Sequence, residues 1–215
     1  GSRGTVRWND EVRPLFVPLV GRHNVQNALG ALGAALAVGI PLDTALRGLA
    51  SFKGVPGRLQ RVPNPHGFGV FVDYAHTDDA LANVLTALRA LKPKRVITVF
   101  GCGGDRDRGK RPLMGAVAAK DSDLVVVTSD NPRSEDPLAI IAEILPGIGS
   151  RPHVVEPDRD RAIARALTLA EPGDVVLIAG KGHESTQTVG DVITPFDDVA
   201  VAAEHLRTLP RSTPC

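Results

Sequence analysis

The run Arg95-Val96-Ile97-Thr98-Val99-Phe100 is rich in apolar and β-branched residues, and Gly101 ends it. A helical spacing of apolar residues follows over 111–119, and a second apolar run, Leu124-Val125-Val126-Val127-Thr128, comes next. Nearly continuous apolar strands that alternate with amphipathic helices are typical of a mostly parallel sheet covered on both faces. The stretch therefore predicts a doubly wound, Rossmann-like α/β fold, in which ligands bind at the carboxyl ends of the strands.

The same alternation extends to both sides of this stretch. Further strands are predicted at 70–72, 153–155 and 174–179, and further helices at 79–91, 137–145, 159–170 and 197–206. Upstream, short extended pieces over 5–20 precede two predicted helices, at 23–38 and 42–51, and turn-forming residues follow at 54–58. We therefore predict two domains, comprising residues 1–56 and 57–215.

The composition argues against several classes of function. The 25 Lys and Arg residues nearly balance the 24 Asp and Glu residues, so no net field favours nucleic acid or an anionic membrane. No apolar run approaches the roughly 20 residues that span a bilayer. Two cysteines, Cys102 and Cys215, are too few for a disulfide framework and fit a reducing, cytoplasmic setting. We expect no nucleic-acid and no membrane partner.

Four polar loops directly follow predicted strands. They lie at residues 73–77, 101–111, 129–133 and 180–184. The carboxyl ends of parallel strands share one edge of a sheet, so we expect these loops to meet there.

The glycine-rich loop at 101–111 is similar to a phosphate-binding loop without being one. Gly104 to Lys110 fits G-x-x-x-x-G-K, but Arg111 follows where a P-loop needs Ser or Thr for Mg²⁺. A solvated, charged turn is the favoured interpretation for Arg108 and Lys110. Arg106 is expected to turn inward, because the glycines before it let the backbone bend.

The loop at 129–133 suits a zwitterionic ligand. Pro132 fixes its own φ and favours an extended Asn131, which holds the neighbouring side chains in set directions. Asp130 could bind an ammonium group, and Arg133 a carboxylate through both oxygens. An Asx-turn that only starts the next helix is the alternative.

The remaining loops add charges of both signs. Glu184 would supply a second partner for an ammonium group and Arg106 a second partner for a carboxylate, a count that matches a diamino dicarboxylic acid. The loop at 180–184 could also be an ordinary turn. His76 and His183 lack the spacing of a zinc site, so no metal site is predicted.

With these motifs in view, the chain resembles the Mur ligase family from about Gly21 to Leu206. The resemblance rests on separated segments, of which Asp130-Asn131-Pro132-Arg133 is the most specific. In the family this tetrad marks members that add meso-diaminopimelate, and lysine-adding relatives usually lack the arginine. The other segments are 21–27, 56–58 and 73–77.

The resemblance implies ligands for particular residues. Those implied to bind or shape the site for meso-diaminopimelate are Arg106, Asp130, Asn131, Pro132, Arg133, Gly180 and Glu184. Those implied to contact ATP are His23, Asn24, Asn27, Arg58, Asp73 and His76. No catalytic residue and no metal ligand is assigned.

The resemblance also implies the setting of the chain. Residues 1–56 would be the end of a central ATP-binding domain and 57–215 the C-terminal amino-acid-binding domain of a monomeric, cytoplasmic ligase of peptidoglycan precursor synthesis. Such a ligase uses ATP, Mg²⁺ and a UDP-MurNAc-dipeptide. Asp78 stands where the family usually has Pro, a departure that removes no ligand. No Walker A loop is present, so we expect a fragment that is inactive alone.

Two alternatives stay open. A lysine-adding or folylpolyglutamate-type ligase would share the fold but prefer another amino acid. A stand-alone α/β binding module would show an edge at which Arg106, Arg133 and Glu184 do not converge.

Overall fold

The structure, a computed structural model, describes residues 1–210 and divides into two compact units, residues 1–55 and a second unit that begins at Pro56. Cys215 lies outside the described residues, and Cys102 is a buried free thiol. Within residues 1–210, no helix combines the length and the apolar character needed to cross a membrane.

The first unit is a β-hairpin with two helices. Strands β1 (Ser2–Trp8) and β2 (Glu11–Val17) pair antiparallel, and helices α1 (Arg22–Ala37) and α2 (Leu42–Ser51) follow. An isolated hairpin is marginal in water, so its packing against the helices matters. The small core of this unit contains Leu15, Val17 and Ala28.

The second unit is built on a six-stranded sheet. Its strands are β3 (Gln60–Arg61), β4 (Gly69–Asp73), β5 (Val96–Phe100), β6 (Leu124–Val127), β7 (His153–Val155) and β8 (Val175–Ala179). The order is β3-β4-β8-β5-β6-β7, with β3 antiparallel and all other pairs parallel. The predicted fold class is confirmed.

Helices cover both faces of this sheet. They are α3 (Asp78–Arg89), α4 (Lys110–Asp121), α5 (Pro137–Ile148), α6 (Arg159–Leu169) and α7 (Asp198–Thr208). Helices α6 and α7 pack together over one set of alternating strand residues, which includes Val72, Val99 and Ile178. Helices α3, α4 and α5 pack side by side, and Thr98, of opposite orientation in β5, bonds Ser122 at the end of α4.

Local sequence explains where the helices begin and end. The side chains of Thr77, Asp136 and Asp197 accept hydrogen bonds from backbone N–H groups in the first turns of α3, α5 and α7. Helix α5 continues through Pro146 to Ile148, three residues past the predicted end. A proline in the last turn removes a single hydrogen bond, and burial of Ile148 favours the extension.

A second hairpin was missed by the sequence analysis. Strands β9 (Thr186–Val189) and β10 (Val192–Pro195) form a separate two-stranded sheet after β8. Its signal was present, since Gly190-Asp191 separates two runs rich in β-branched residues. This hairpin lies beside the loop that follows β6, as described below.

The strand order brings the four polar loops to one edge of the sheet. Strand β8 lies between β4 and β5, although the chain visits it last. Helix α7, which follows β8, packs with α6, whereas α3 and α4 follow β4 and β5 on the opposite face. The loops after neighbouring strands therefore diverge here, which is where open α/β sheets bind ligands.

Candidate functional site

The loop after β6, Asp130–Arg133, is called the tetrad loop here, and it packs tightly against the glycine loop, Gly101–Arg111. A Cβ atom on Gly104 would lie 1.8 Å from the carbonyl oxygen of Pro132, and one on Gly101 would lie 2.2 Å from that of Thr128. The N–H of Gly104 donates to the Asn131 carbonyl at 2.9 Å. Only glycine lets the two backbones approach this closely.

Arg133 is held in an unusual conformation from both sides. Its φ is 52°, in the left-handed region that non-glycine residues seldom adopt. Its backbone N–H donates to Thr188 at 3.1 Å, and its carbonyl accepts from Gly190 at 2.7 Å, so the β9–β10 hairpin fixes it. On the other side, its Nη1 donates to the Gly104 carbonyl at 2.8 Å. The half-buried guanidinium is thus anchored by one nitrogen.

Asn131 connects the tetrad loop to the loop after β8. Its Nδ2 donates to Glu184 Oε2 at 2.8 Å, and its Oδ1 accepts from Lys181 Nζ at 2.9 Å. Asn131 is buried, whereas the Glu184 side chain is 34% exposed. The carboxylate of Glu184 is therefore oriented from behind while it faces solvent.

Asp130 is buried, which argues against the direct contact with an ammonium group that the sequence analysis considered. It is 8% exposed, and a Cβ atom on Gly180 would lie 2.5 Å from its Oδ2. Burial raises the pKa of this carboxyl, against the charges of Arg159 and Lys181. Asp130 thus fits the implied role of shaping the site better than direct contact with a ligand.

A buried ion pair ties two strand ends together beneath the loops. Arg159 and Asp198 are joined through two hydrogen bonds of 2.8 Å, and both side chains are fully buried. The same guanidinium donates to the carbonyls of Ser129 at 3.2 Å and Ala179 at 3.0 Å, after β6 and at the end of β8. The sequence analysis did not single out either partner of this pair.

A second buried arginine fixes the glycine loop. Arg111 donates to Glu135 at 2.7 and 2.9 Å and to Glu143 at 2.8 Å. The hydrogen bonds from Arg111 hold the pKa of Glu135 down to about 2. Glu135 in turn accepts from the N–H of Asp105 at 2.7 Å. The residue that rules out a P-loop is therefore a structural support.

Arg106 does not turn inward, which corrects the expectation from sequence. Asp105 takes the positive φ of 53° and binds Ser134 with its carboxylate, so the turn is fixed one residue earlier. Arg106 is exposed, and its Nη1 donates to the carbonyl of Asp105 at 2.9 Å. A Cβ atom on Gly103 would nevertheless lie 3.0 Å from Arg133 Nη1 and 3.7 Å from Arg106 Cγ. The two arginine side chains therefore flank one glycine.

The other two cations of the glycine loop, Arg108 and Lys110, agree with the charged turn that the sequence analysis favoured. Arg108 is exposed and pairs with Glu143. Lys110 donates to the His76 carbonyl at 2.9 Å and so joins the glycine loop to the loop after β4. Neither points to a phosphate cradle.

Two of the second-unit residues implied to contact ATP, Arg58 and His76, lie beside the ring of Tyr74. The guanidinium carbon of Arg58 lies 4.8 Å from the Tyr74 ring centroid, and the rings of His76 and His183 lie 4.6 and 5.1 Å away. Arg58 and His76 are exposed. They form a cationic and aromatic surface.

Asp73 has a different environment from that surface. Its carboxylate is buried and accepts from the N–H groups of Leu59 at 2.6 Å and Ala75 at 2.8 Å. It thereby stabilises a turn in which Leu59 has a φ of 45°.

The other residues implied to contact ATP lie in the first unit, on α1. His23 and Asn27 are exposed, and Asn24 Nδ2 donates to the Val20 carbonyl at 2.7 Å. Across the described residues 1–210, no three His, Cys, Asp or Glu side chains are grouped to bind a metal ion.

Comparison with known proteins identifies similar chains. The family model described as "Mur ligase, glutamate ligase domain" matches residues 57–182. A UDP-N-acetylmuramoyl-L-alanyl-D-glutamate–2,6-diaminopimelate ligase of Solibacter usitatus is 56% identical over 209 residues, which cover 96% of this chain and 42% of the relative. A ligase of the same name from Gloeobacter violaceus is 55% identical over 209 residues, with the same coverage of both chains.

Solved structures agree with these relatives. One ligase of that name superposes with a TM-score of 0.75 at 39% identity, covering 96% of this chain and 43% of the other. A Mycobacterium tuberculosis folylpolyglutamate synthase, with a TM-score of 0.64 and 24% identity over 94% of this chain and 44% of the other, shows a shared fold alone. The chain spans about two fifths of the length of the curated relatives described here.

Proposed function

The chain belongs to the Mur ligase family, and on this premise we propose that it is the amino-acid-binding part of an ATP-dependent ligase that adds meso-diaminopimelate to UDP-MurNAc-L-Ala-D-Glu. In this proposal residues 1–56 are the end of an ATP-binding domain, and 57–215 form the domain that presents the amine. The whole enzyme works as a monomer in the cytoplasm, in the synthesis of peptidoglycan precursors.

The observation that carries the proposal is the convergence of the glycine loop and the loop after β8 on the tetrad loop. Arg133 contacts the glycine loop through Gly104, and Asn131 contacts the loop after β8 through Glu184 and Lys181. These contacts hold the partly exposed side chains of Arg133 and Glu184, and the buried Asn131 supports Glu184 from behind. Such support from behind is what a preorganised recognition site requires.

The charged side chains suit a ligand that has two carboxylates and two amino groups. Arg133 uses Nη1 for the Gly104 carbonyl, which leaves further N–H donors for a carboxylate of the ligand. The Glu184 carboxylate accepts hydrogen bonds from an ammonium group of the ligand, and the exposed Arg106 reaches its second carboxylate. Asn131, Pro132, Gly180 and Asp130 shape the cleft around these groups.

The part of this chain in catalysis is to orient the nucleophile. Holding an amine in line with an activated carboxyl group turns a bimolecular step into an effectively unimolecular one. ATP, when bound, supplies the phosphoryl group that activates the carboxylate of the acceptor.

The exposed residues around Tyr74 fit a nucleotide, because Arg58 offers a cation for a phosphate and His76 an aromatic face. For His23, Asn24 and Asn27, which lie in the first unit, a contact with ATP is part of the proposal on the basis of the family resemblance. Asp73 would act through the turn that it holds rather than by direct contact. In the proposal Mg²⁺ accompanies ATP.

Isothermal titration calorimetry tests the substrate. We expect the purified chain to bind meso-diaminopimelate weakly and more tightly than L-lysine or L-glutamate. It should form no amide from ATP, the UDP-dipeptide and diaminopimelate. A preference for L-lysine would overturn the assignment of Arg133, and turnover by this chain alone would contradict its description as a binding part.

A further inference from the structure

Lys181 is a buried lysine at the centre of the site. Its side chain is fully buried, and Nζ donates to Asn131 Oδ1 at 2.9 Å and to the Thr186 carbonyl at 2.7 Å. Nζ also lies 3.9 Å from Glu184 Oε2. One ammonium group thus joins the tetrad loop, the loop after β8 and strand β9.

Lys181 and the backbone N–H of Thr188 together fix which way the Asn131 amide points. The Oδ1 atom of Asn131 accepts from Lys181 Nζ and also from the N–H of Thr188 at 3.0 Å. Lysine and backbone N–H groups only donate, so a flipped amide would place its NH₂ against two donors and lose both bonds. The amide nitrogen is therefore directed at Glu184, whose carboxylate it holds at 2.8 Å.

The charge of Lys181 is part of the same arrangement. The charged groups that face it are Asp130, Arg159, Glu184 and Asp198. Burial lowers the pKa of Lys181, and the Asp130 carboxylate acts in the opposite direction. Arg159 is already bound to Asp198 through two hydrogen bonds. Removal of Lys181 would leave Arg159 as the cation that acts on Asp130, and it would take away the ammonium group that lies 3.9 Å from Glu184.

We propose that Lys181 is a positioning residue for the amino-acid substrate. It does not touch the substrate; it fixes the Asn131 amide and, through that amide, presents the Glu184 carboxylate to an ammonium group of a bound diamino acid. This inference deepens the function proposed above and rests on it for the identity of the substrate.

The first test needs no ligand. In ¹H–¹⁵N spectra, the side-chain amide pair of Asn131 is assigned by its loss in Asn131→Asp. We expect this pair to shift or broaden beyond detection in Lys181→Met and to stay in place in Lys120→Met, which changes an exposed lysine on α4. An unchanged pair in a folded Lys181→Met protein would overturn the proposal.

The second test is a double-mutant cycle measured by calorimetry with meso-diaminopimelate. We expect Lys181→Met to weaken binding about tenfold in the wild-type background and to have little further effect in Glu184→Gln. Additive losses would indicate a general structural role and contradict the proposal. If the wild-type chain binds no diaminopimelate, the proposed substrate fails, while the ligand-free spectra still decide the role of Lys181.

A third measurement applies if Lys181→Met does not fold. The carbonyl ¹³C signal of the Asn131 side chain is followed in the wild-type protein between about pH 7 and about pH 11. Because burial lowers the pKa of Lys181, we expect the signal to move with a midpoint below the ordinary lysine value of about 10.4. A signal that does not move over this range would refute the coupling.

Discussion

Arg133 and Arg106 flank the same glycine, yet the structure treats them in opposite ways. Arg133 is half-buried, and backbone groups of the hairpin and of the glycine loop fix it. Arg106 is exposed and contacts only its neighbouring residue, Asp105, among the hydrogen bonds described. For the proposed binding of two carboxylates, the comparison implies a preorganised subsite at Arg133 and a second one, at Arg106, that has to close around the ligand with a greater loss of side-chain entropy.

The largest expected effect comes from breaking the buried ion pair that holds Ser129, the residue before the tetrad loop. Arg159→Met leaves Asp198 buried without its partner, and loss of one member of a buried pair typically costs about 3–5 kcal/mol. Urea unfolding followed by circular dichroism measures the free energy of unfolding. Arg161→Met is the control, since that side chain lies on the same helix and is 74% exposed. Equal stability of the two variants would contradict the role of the buried pair.

Gly104→Ala tests the contact between the glycine loop and the tetrad loop. The added Cβ would overlap the Pro132 carbonyl oxygen at 1.8 Å, so the backbones must separate. We expect a loss of about 1–3 kcal/mol in the free energy of unfolding. Gly109→Ala is the control, because it lies in the same loop, has an ordinary φ of −61°, and its Cβ would meet only the exposed Asp107 side chain, at 3.1 Å. A loss at Gly104 no larger than that at Gly109 would argue against tight packing of the two loops.

The arginines themselves give the direct comparison. We expect Arg133→Ala to weaken binding of meso-diaminopimelate at least about tenfold, and Arg106→Ala to weaken it only about twofold to fivefold, because a flexible, solvated cation contributes less. Calorimetry at one ionic strength measures both, with Arg165→Ala, an exposed position on α6, as the control. The reverse order would show that exposure in the free protein does not predict the contribution to binding.

The smallest expected effect is a pH dependence from Glu135. Its pKa is about 2 in the folded protein, below its unfolded value, because Arg111 donates to it. A depressed carboxyl pKa contributes stability that is complete above the unfolded pKa of about 4.3 and is lost as pH falls toward the folded value. The Glu135→Gln variant should therefore be less stable than the wild type at pH 7. Its free energy of unfolding should also decline less between about pH 4.5 and about pH 2. Parallel pH profiles for the two proteins would contradict this assignment.

The order of strands and helices was predictable because local patterns carry it. The buried runs at β5, β6 and β8 and the capping residue Asp136 act over a few neighbouring positions. The placement of the polar loops at one edge followed from the rule for parallel sheets. The β9–β10 hairpin was missed because two strands of four residues each carry only a weak local pattern beside the longer buried runs of the parallel sheet.

The supports of the site could not be predicted, because they depend on partners distant in sequence. Arg159 and Asp198 are 39 positions apart, and Lys181 and Asn131 are 50 apart. Nothing local marks such residues as buried, since most arginines and lysines are exposed. The predicted inward direction of Arg106 was wrong for a related reason. Asp105 contacts Ser134 and Glu135, and these contacts fix the turn one residue before Arg106.

The β9–β10 hairpin that fixes Arg133 has a cost in solution behaviour. Within the described residues, β10 pairs with β9 alone, and Val192 and Ile193 are 61% and 66% exposed. An unpaired strand edge with apolar side chains is a template for strand addition from a neighbouring molecule. Pro195, which has no N–H to donate, shortens that template at its end. The hairpin that prepares the cleft is therefore also a surface at which crowded molecules of this protein could adhere.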